Sequence, residues 1–141
     1  MKEIFNLAKG NLPTIAVPHD CCVEKIYFED GFLVFEFEDD ISQYDSIKYD
    51  RPNVKTLTIK YHLILDEEDV SLYKMKRLGL FNKKIAYVET DRKKLFRLTE
   101  NKFEYLSHLI GYGNILVSFC ANGFYRLKID CDYIEYDWIE K

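Results

Sequence analysis

The chain has 141 residues, 20 of them Lys or Arg and 24 Asp or Glu, for a net charge of −4, and 48% are hydrophobic. That length suits one domain, spanning 1–141, with a core of its own and no need of metal or disulfide staples. The apolar content excludes a disordered chain, and the acidic balance argues against a general nucleic-acid binder, which carries a strongly basic face.

Met1 to Ala16 is interrupted by Lys2, Glu3, Lys9, Gly10 and Pro13. It has no compact apolar run, so it does not read as a secretory signal, and a bacterium-like cytoplasm is the expected setting. No stretch approaches the roughly 18 apolar residues of a membrane helix, so no membrane partner is expected. His19-Asp20-Cys21-Cys22 follows, offering an imidazole, a carboxylate and two thiols within four residues. Tetrahedral zinc needs a second pair of ligands, and His62, His108, Cys120 and Cys131 are scattered. In this setting the thiols are expected to be free. The cluster supports an alternative reading as a small metal-binding or thiol-dependent enzyme.

Val23 to Glu38 is the clearest hairpin. Asp30-Gly31 suits a type I′ turn and sets Glu29 opposite Phe32, Phe28 opposite Leu33 and Ile26 opposite Phe35. Lys25 then faces Glu36 on the other side. Asp39–Asn53 reads as a polar loop, and Val54–Leu65 as a strand with Leu57, Ile59, Tyr61, Leu63 and Leu65 on one face. Asp66–Asp69 precedes Val70–Leu78, which supports two readings. Acids first, bases last and Gly79 after them complement a helix dipole, while Val70, Leu72 and their neighbours alternate as in a strand.

Lys84–Glu89 reads as a short strand. Asp91 caps a short helix over Arg92–Leu98, and Asn101 with Glu104 resembles a capping box for a helix over Lys102–Ile110. Gly111-Tyr112-Gly113-Asn114 lacks the third glycine of a dinucleotide loop and is read as a turn between helix and strand, so no cofactor is assigned. Asn122-Gly123 joins Ile115–Ala121 to Phe124–Cys131 as a two-residue hairpin loop, pairing Cys120 with Tyr125, Ser118 with Leu127 and Leu116 with Ile129. Tyr133–Ile139 alternates again as a last strand.

Together these predict an α+β fold dominated by antiparallel sheet. Six to eight strands curl into a barrel-like or sandwich form with one to three short helices, since such sheets close or cover their edges. The expected core is Ile26, Phe28, Phe35, Phe37, Leu57, Ile59, Tyr61, Leu127 and Ile129.

Charge is uneven. Glu24–Asp50 is acidic, Tyr73–Arg97 holds nine bases against Glu89 and Asp91, and Asp130–Glu140 is acidic again. Neighbouring segments of opposite sign are expected to neutralise one another within the fold. With no catalytic motif in view, the sequence favours a non-catalytic interaction protein, an inhibitor or immunity-type factor. It would meet a protein partner, or a second copy, through an acidic, aromatic surface carrying Tyr133, Tyr136 and Trp138, since Tyr and Trp are favoured at interfaces. If the last strand is central instead, those side chains are core. A second alternative is single-stranded nucleic acid on the basic stretch 74–97, where Phe81, Tyr87 and Phe96 interleave with the bases.

Overall fold

The computed structural model describes residues 1–80 and 84–141. Among these described residues nine strands form one antiparallel sheet: β1 (Lys2–Asn6), β2 (Cys22–Glu29), β3 (Phe32–Phe37), β4 (Val54–Leu63), β5 (Val70–Leu78), β6 (Lys84–Thr90), β7 (Phe103–Gly111), β8 (Asn114–Cys120) and β9 (Phe124–Glu140). Strands β4-β3-β2-β7-β8-β9 are bonded in that order, and β9 returns to β4, so these six close into a barrel. β1 adds to the second edge of β9, and the β5–β6 ribbon extends from it. Two single-turn helices, α1 (Asp45–Lys48) and α2 (Leu95–Leu98), pack outside. This is the curled antiparallel sheet with few helices that the sequence predicts, with three strands added to the barrel.

The Asp30-Gly31 hairpin has the predicted register. Glu29 faces Phe32, Phe28 faces Leu33, Ile26 faces Phe35 and Lys25 faces Glu36. Asp30 and Gly31 both take positive φ, 50° and 82°, as a type I′ turn requires. The second hairpin does not. Cys120 faces Phe124, Val117 faces Leu127 and Ile115 faces Ile129, so its loop is the three residues Ala121–Gly123. Asn122 and Gly123 have φ of 54° and 137°, and the N–H of Ala121 donates to the Gly123 carbonyl. The reason for the one-residue slip is packing. It sets Phe119, Val117 and Ile115 against Tyr125, Leu127 and Ile129 in the core, where the two-residue loop would have paired Cys120, Ser118 and Leu116 there.

The segment expected as a helix over Lys102–Ile110 is strand β7. Asn101 ends a tight helical turn, and Lys102, at φ 54°, breaks it. Phe103 and Tyr105 then bury on alternate positions, a pattern worth more here than a capping box. A bulge between Tyr105 and Ser107 shifts the phase, so that His108 and Ile110 turn inward opposite Val117 and Ile115. Gly111–Asn114 therefore closes a hairpin rather than joining helix to strand.

Val70–Leu78 resolves as strand, with Val70 and Leu72 buried. Asp91 does cap its turn, accepting the Lys93 N–H before α2. Within the expected loop 39–53, α1 and a preceding turn bury Ile47 and Ile41. Leu65 lies beyond the end of β4 and is 84% exposed.

Of the predicted core, Ile26, Phe35, Phe37, Leu57, Ile59, Tyr61, Leu127 and Ile129 are buried, while Phe28 is half-buried against Phe96. The last two predicted strands are one continuous β9, bonded to β8 and β5 along its first half and to β1 and β4 along its second.

Candidate functional site

Barrel walls place alternate residues inside and outside. On β3, Leu33, Phe35 and Phe37 point in, which sends Phe32 out. On β4 the inward set Leu57, Ile59, Tyr61 and Leu63 sends His62 out, and on β9 the inward Ile134, Tyr136 and Trp138 send Tyr133 out. Register then aligns the three outward rings in one row, Phe32 opposite His62 and His62 opposite Tyr133. His62 stacks on Tyr133 at 4.4 Å and meets Phe32 edge-on at 5.0 Å between ring centres. Nδ1 of His62 lies 2.6 Å from Oδ1 of Asp132, which fixes the imidazole in the row. All three rings are half-exposed, an unusual load for an outer wall.

Phe32 also belongs to a surface groove of about 370 Å³ at the barrel rim. Phe28, Phe32, Leu63 and Leu65 give it apolar walls, and Glu29, Asp30, Asp66 and Glu67 give it carboxylates. Among the described residues none of those four carboxylates has a cation within 4.0 Å. Asp69 holds the rim in shape by accepting the N–H groups of Leu65 and Asp66. Along Tyr133 the charges are engaged, Asp132 by His62 and Glu135 by Lys2 at 3.9 Å, and Lys60 stands 5.9 Å from the Phe32 ring centre. The ladder and the groove together make one acidic, aromatic face.

That face retains only part of the predicted one. Tyr133 is on it. Tyr136 and Trp138 are 1% exposed and belong to the core, because β9 is central rather than an edge. Trp138 Nε1 donates to Glu3 Oε1 at 2.5 Å, and Arg51 bonds the same oxygen at 2.6 Å while its guanidinium lies 4.2 Å from the indole centre. Tyr136 donates its hydroxyl proton to the Ala16 carbonyl at 2.9 Å. Both are fastenings for β1 and the strap that follows it.

His19, Cys21 and Cys22 do not converge. His19 is exposed and bonds the Leu106 carbonyl through Nδ1 at 2.7 Å. Cys21 is enclosed, facing the His19 carbonyl and Ser46, and burial pushes its thiol up to about 12. Burial, then the neighbouring Glu38, also raises Cys22. Cys131 is raised to about 12 by burial and by Asp132. A nucleophilic or metal-binding thiol needs the opposite shift. Among the described residues no three His, Cys, Asp or Glu side chains come together as a metal would require.

The barrel interior holds a polar cluster that the sequence does not announce. Tyr61, Tyr105 and Tyr136 are wholly enclosed, and burial drives each phenol well above its ordinary range. Tyr105 donates to His108 Nδ1 at 2.6 Å, leaving Nε2–H to donate to the Ile15 carbonyl at 3.2 Å. The Tyr61 hydroxyl lies beside that of Tyr105 but makes no well-formed hydrogen bond. The imidazole and the Tyr136 hydroxyl thus pin adjacent carbonyls, Ile15 and Ala16, of the strap across the barrel.

The basic stretch behaves differently from expectation. Lys74, Lys76, Arg77, Lys84, Arg92, Lys93, Lys94 and Arg97 make no ion pair within 4.0 Å among the described residues. No contact ion pair among the described residues joins this stretch to an acidic segment, although its Phe96 packs on Phe28 of β2. Arg92 bonds the carbonyls of Glu67 and Val70, and Lys74 lies 5.7 Å from the Tyr125 ring centre. Phe81 lies outside the described residues. Tyr87 is covered by Arg126, whose guanidinium is 4.0 Å from the ring centre, and Phe96 packs on Phe28. Neither is a free stacking platform.

No family model, no curated protein and no solved structure matches the chain. Among the described residues no helix is long and apolar enough to cross a membrane.

Proposed function

We propose that the chain is a non-catalytic cytoplasmic interaction protein that holds a protein partner on the acidic, aromatic face built by Phe32, His62 and Tyr133, as an inhibitor or immunity-type factor does. The observation that carries this reading is the ladder. Three rings stand in register on the outside of a closed barrel, where alternation ordinarily puts polar side chains. Aromatic side chains supply large contact area at little entropic cost and dominate binding energy where they are desolvated. The unpaired carboxylates beside them select a partner with cationic side chains, and arginine suits both ring faces and carboxylates. Four free cysteines fit a reducing compartment.

The test is a photoreactive phenylalanine analogue placed at position 133 in cells, with Leu109, 71% exposed on β7, as the control position. A discrete adduct from position 133, absent from position 109 and lost with Phe32→Ala, is the expected outcome. Equal adducts at both positions, or indifference to Phe32→Ala, would overturn the assignment. His62→Ala should also weaken the adduct, since it removes the middle ring.

A further inference from the structure

Strand β1 is bonded along one edge only. Its phase follows from a bond at each end: the Met1 carbonyl accepts the Trp138 N–H, and the Leu7 N–H donates to the Asp132 carbonyl, both at 2.8 Å. Bonded pairs of an antiparallel ladder recur at every second residue. Met1, Glu3, Phe5 and Leu7 therefore turn their backbone groups to β9, and Lys2, Ile4 and Asn6 turn theirs away. Among the described residues those outward N–H and C=O groups have no hydrogen-bond partner. The same three side chains are exposed, Ile4 by 62%. Sheet edges are ordinarily guarded by bulges, prolines or charges. β1 pairs with β9 without a bulge, Lys2 stands at one end 3.9 Å from Glu135, and the inward Glu3 is held by Trp138 and Arg51. The middle of the edge is open.

Such an edge selects an extended strand, since only that backbone presents acceptors and donors at the matching spacing. The pattern is also its own complement. A two-fold axis through Ile4 sets Ile4 on Ile4, Lys2 on Asn6 and Glu3 on Phe5, so no like charges are opposed. Every outward group then meets a counterpart, about six hydrogen bonds in all, and the exposed isoleucines cover one another. We infer that two copies of the chain join antiparallel through β1, with Ile4 on the axis. That axis runs normal to the sheet, so the outward faces of both strands share one side. Asn6 lies opposite Tyr133, and the two aromatic faces come to flank the joint. The contact itself is independent of the acidic face as a partner site. Strand β1 offers 5 residues a side, few beside the roughly 20–30 of a standard interface, so the association is of the weak, transient class.

Sedimentation and amide hydrogen exchange of the full chain test this. Wild type should pass from monomer to dimer between about 10 μM and about 0.5 mM. Over that range exchange at the Ile4 and Asn6 amides should slow about threefold or more. Ile4→Pro removes an N–H that faces away from β9, a place where edge strands accept proline, so it should keep the wild-type circular dichroism spectrum and stay monomeric. Ile4→Lys and Ile4→Glu keep the backbone but set like charges together on the axis. Each should be monomeric alone, and their equimolar mixture should associate. Wild type remaining monomeric at about 0.5 mM, where even weak specific contacts populate, would overturn the inference. So would association that leaves the Ile4 amide unprotected or survives Ile4→Pro, or a mixture of the charge variants that stays monomeric while wild type associates. A monomeric wild type whose adduct at position 133 is lost with Ile4→Pro would also overturn it and assign the β1 edge to a strand of an unlike partner.

Discussion

Replacing Tyr61 by Phe should stabilise the protein. The hydroxyl is wholly enclosed and makes no well-formed hydrogen bond, with Tyr105 beside it, so folding strips it of water with little return. An unpaired buried hydroxyl costs about 1–3 kcal/mol, and the oxygen's own packing recovers part of that, leaving a gain of about 1 kcal/mol on removal. For a chain of this size that is a rise in Tm of about 3 °C. Tyr136→Phe is the matched contrast. It deletes the hydrogen bond to the Ala16 carbonyl, at a cost of about 1 kcal/mol. The two variants differ from wild type by one oxygen each, in the same cluster, and should move in opposite directions. Urea unfolding followed through Trp138, buried and the chain's one tryptophan, reports both. A Tyr61→Phe protein less stable than wild type by about 1 kcal/mol would show that the hydroxyl is partnered and refute the reasoning.

Three further outcomes follow from the same structure. Burial lowers the His108 pKa from its ordinary value of 6.5, so the unfolded chain takes up a proton that the folded one resists. The His108 share of stability is therefore complete above about pH 6.5 and lost as pH falls through the folded value, a slope that His108→Gln should abolish in urea titrations from about pH 7.5 to 5. In native protein a thiol reagent should modify Cys120, the half-exposed cysteine, first, with Cys21 and Cys131 protected until denaturant is added; prompt reaction of all four would contradict their burial. Gly123→Ala should cost about 1 kcal/mol or more, because φ of 137° is closed to a side chain although the added carbon would meet only Tyr125 at 3.7 Å; an unchanged midpoint would argue against the three-residue loop.

What the sequence disclosed is what two-residue alternation encodes. The Asp30-Gly31 turn specifies its own register, because both positions tolerate positive φ and a slip would turn Phe35 and Phe37 outward. Asn122-Gly123 invites the same reading, but Ala121 is drawn into the loop by core packing, a tertiary effect that local turn chemistry does not contain. The misassigned β7 shows a bulge at work: Phe103 and Tyr105 keep one parity, His108 and Ile110 the other, and the broken alternation mimics a helix. Of the three side chains expected on an outer surface, Tyr133 does face outward, while Tyr136 and Trp138 are core, since alternation tells two faces apart but not which lies inward. Phe32 entered only as a hairpin partner and His62 only as a scattered candidate ligand, although each is an aromatic ring on the off-beat of a strand whose beat is apolar. Their meeting with Tyr133 depends on the order β3-β4-β9, which no local pattern records.

The long strand β9 has a consequence for how the molecule comes into being. Four other strands, β1, β4, β5 and β8, bond to it, and all four precede it in the chain. During synthesis they emerge with their ladders unfinished, and the wall stays open until residue 140 has left the ribosome. Closure thus joins the most distant parts of the sequence, as in the Lys2–Asp137 pairing, and a topology so dominated by non-local pairing predicts slow folding.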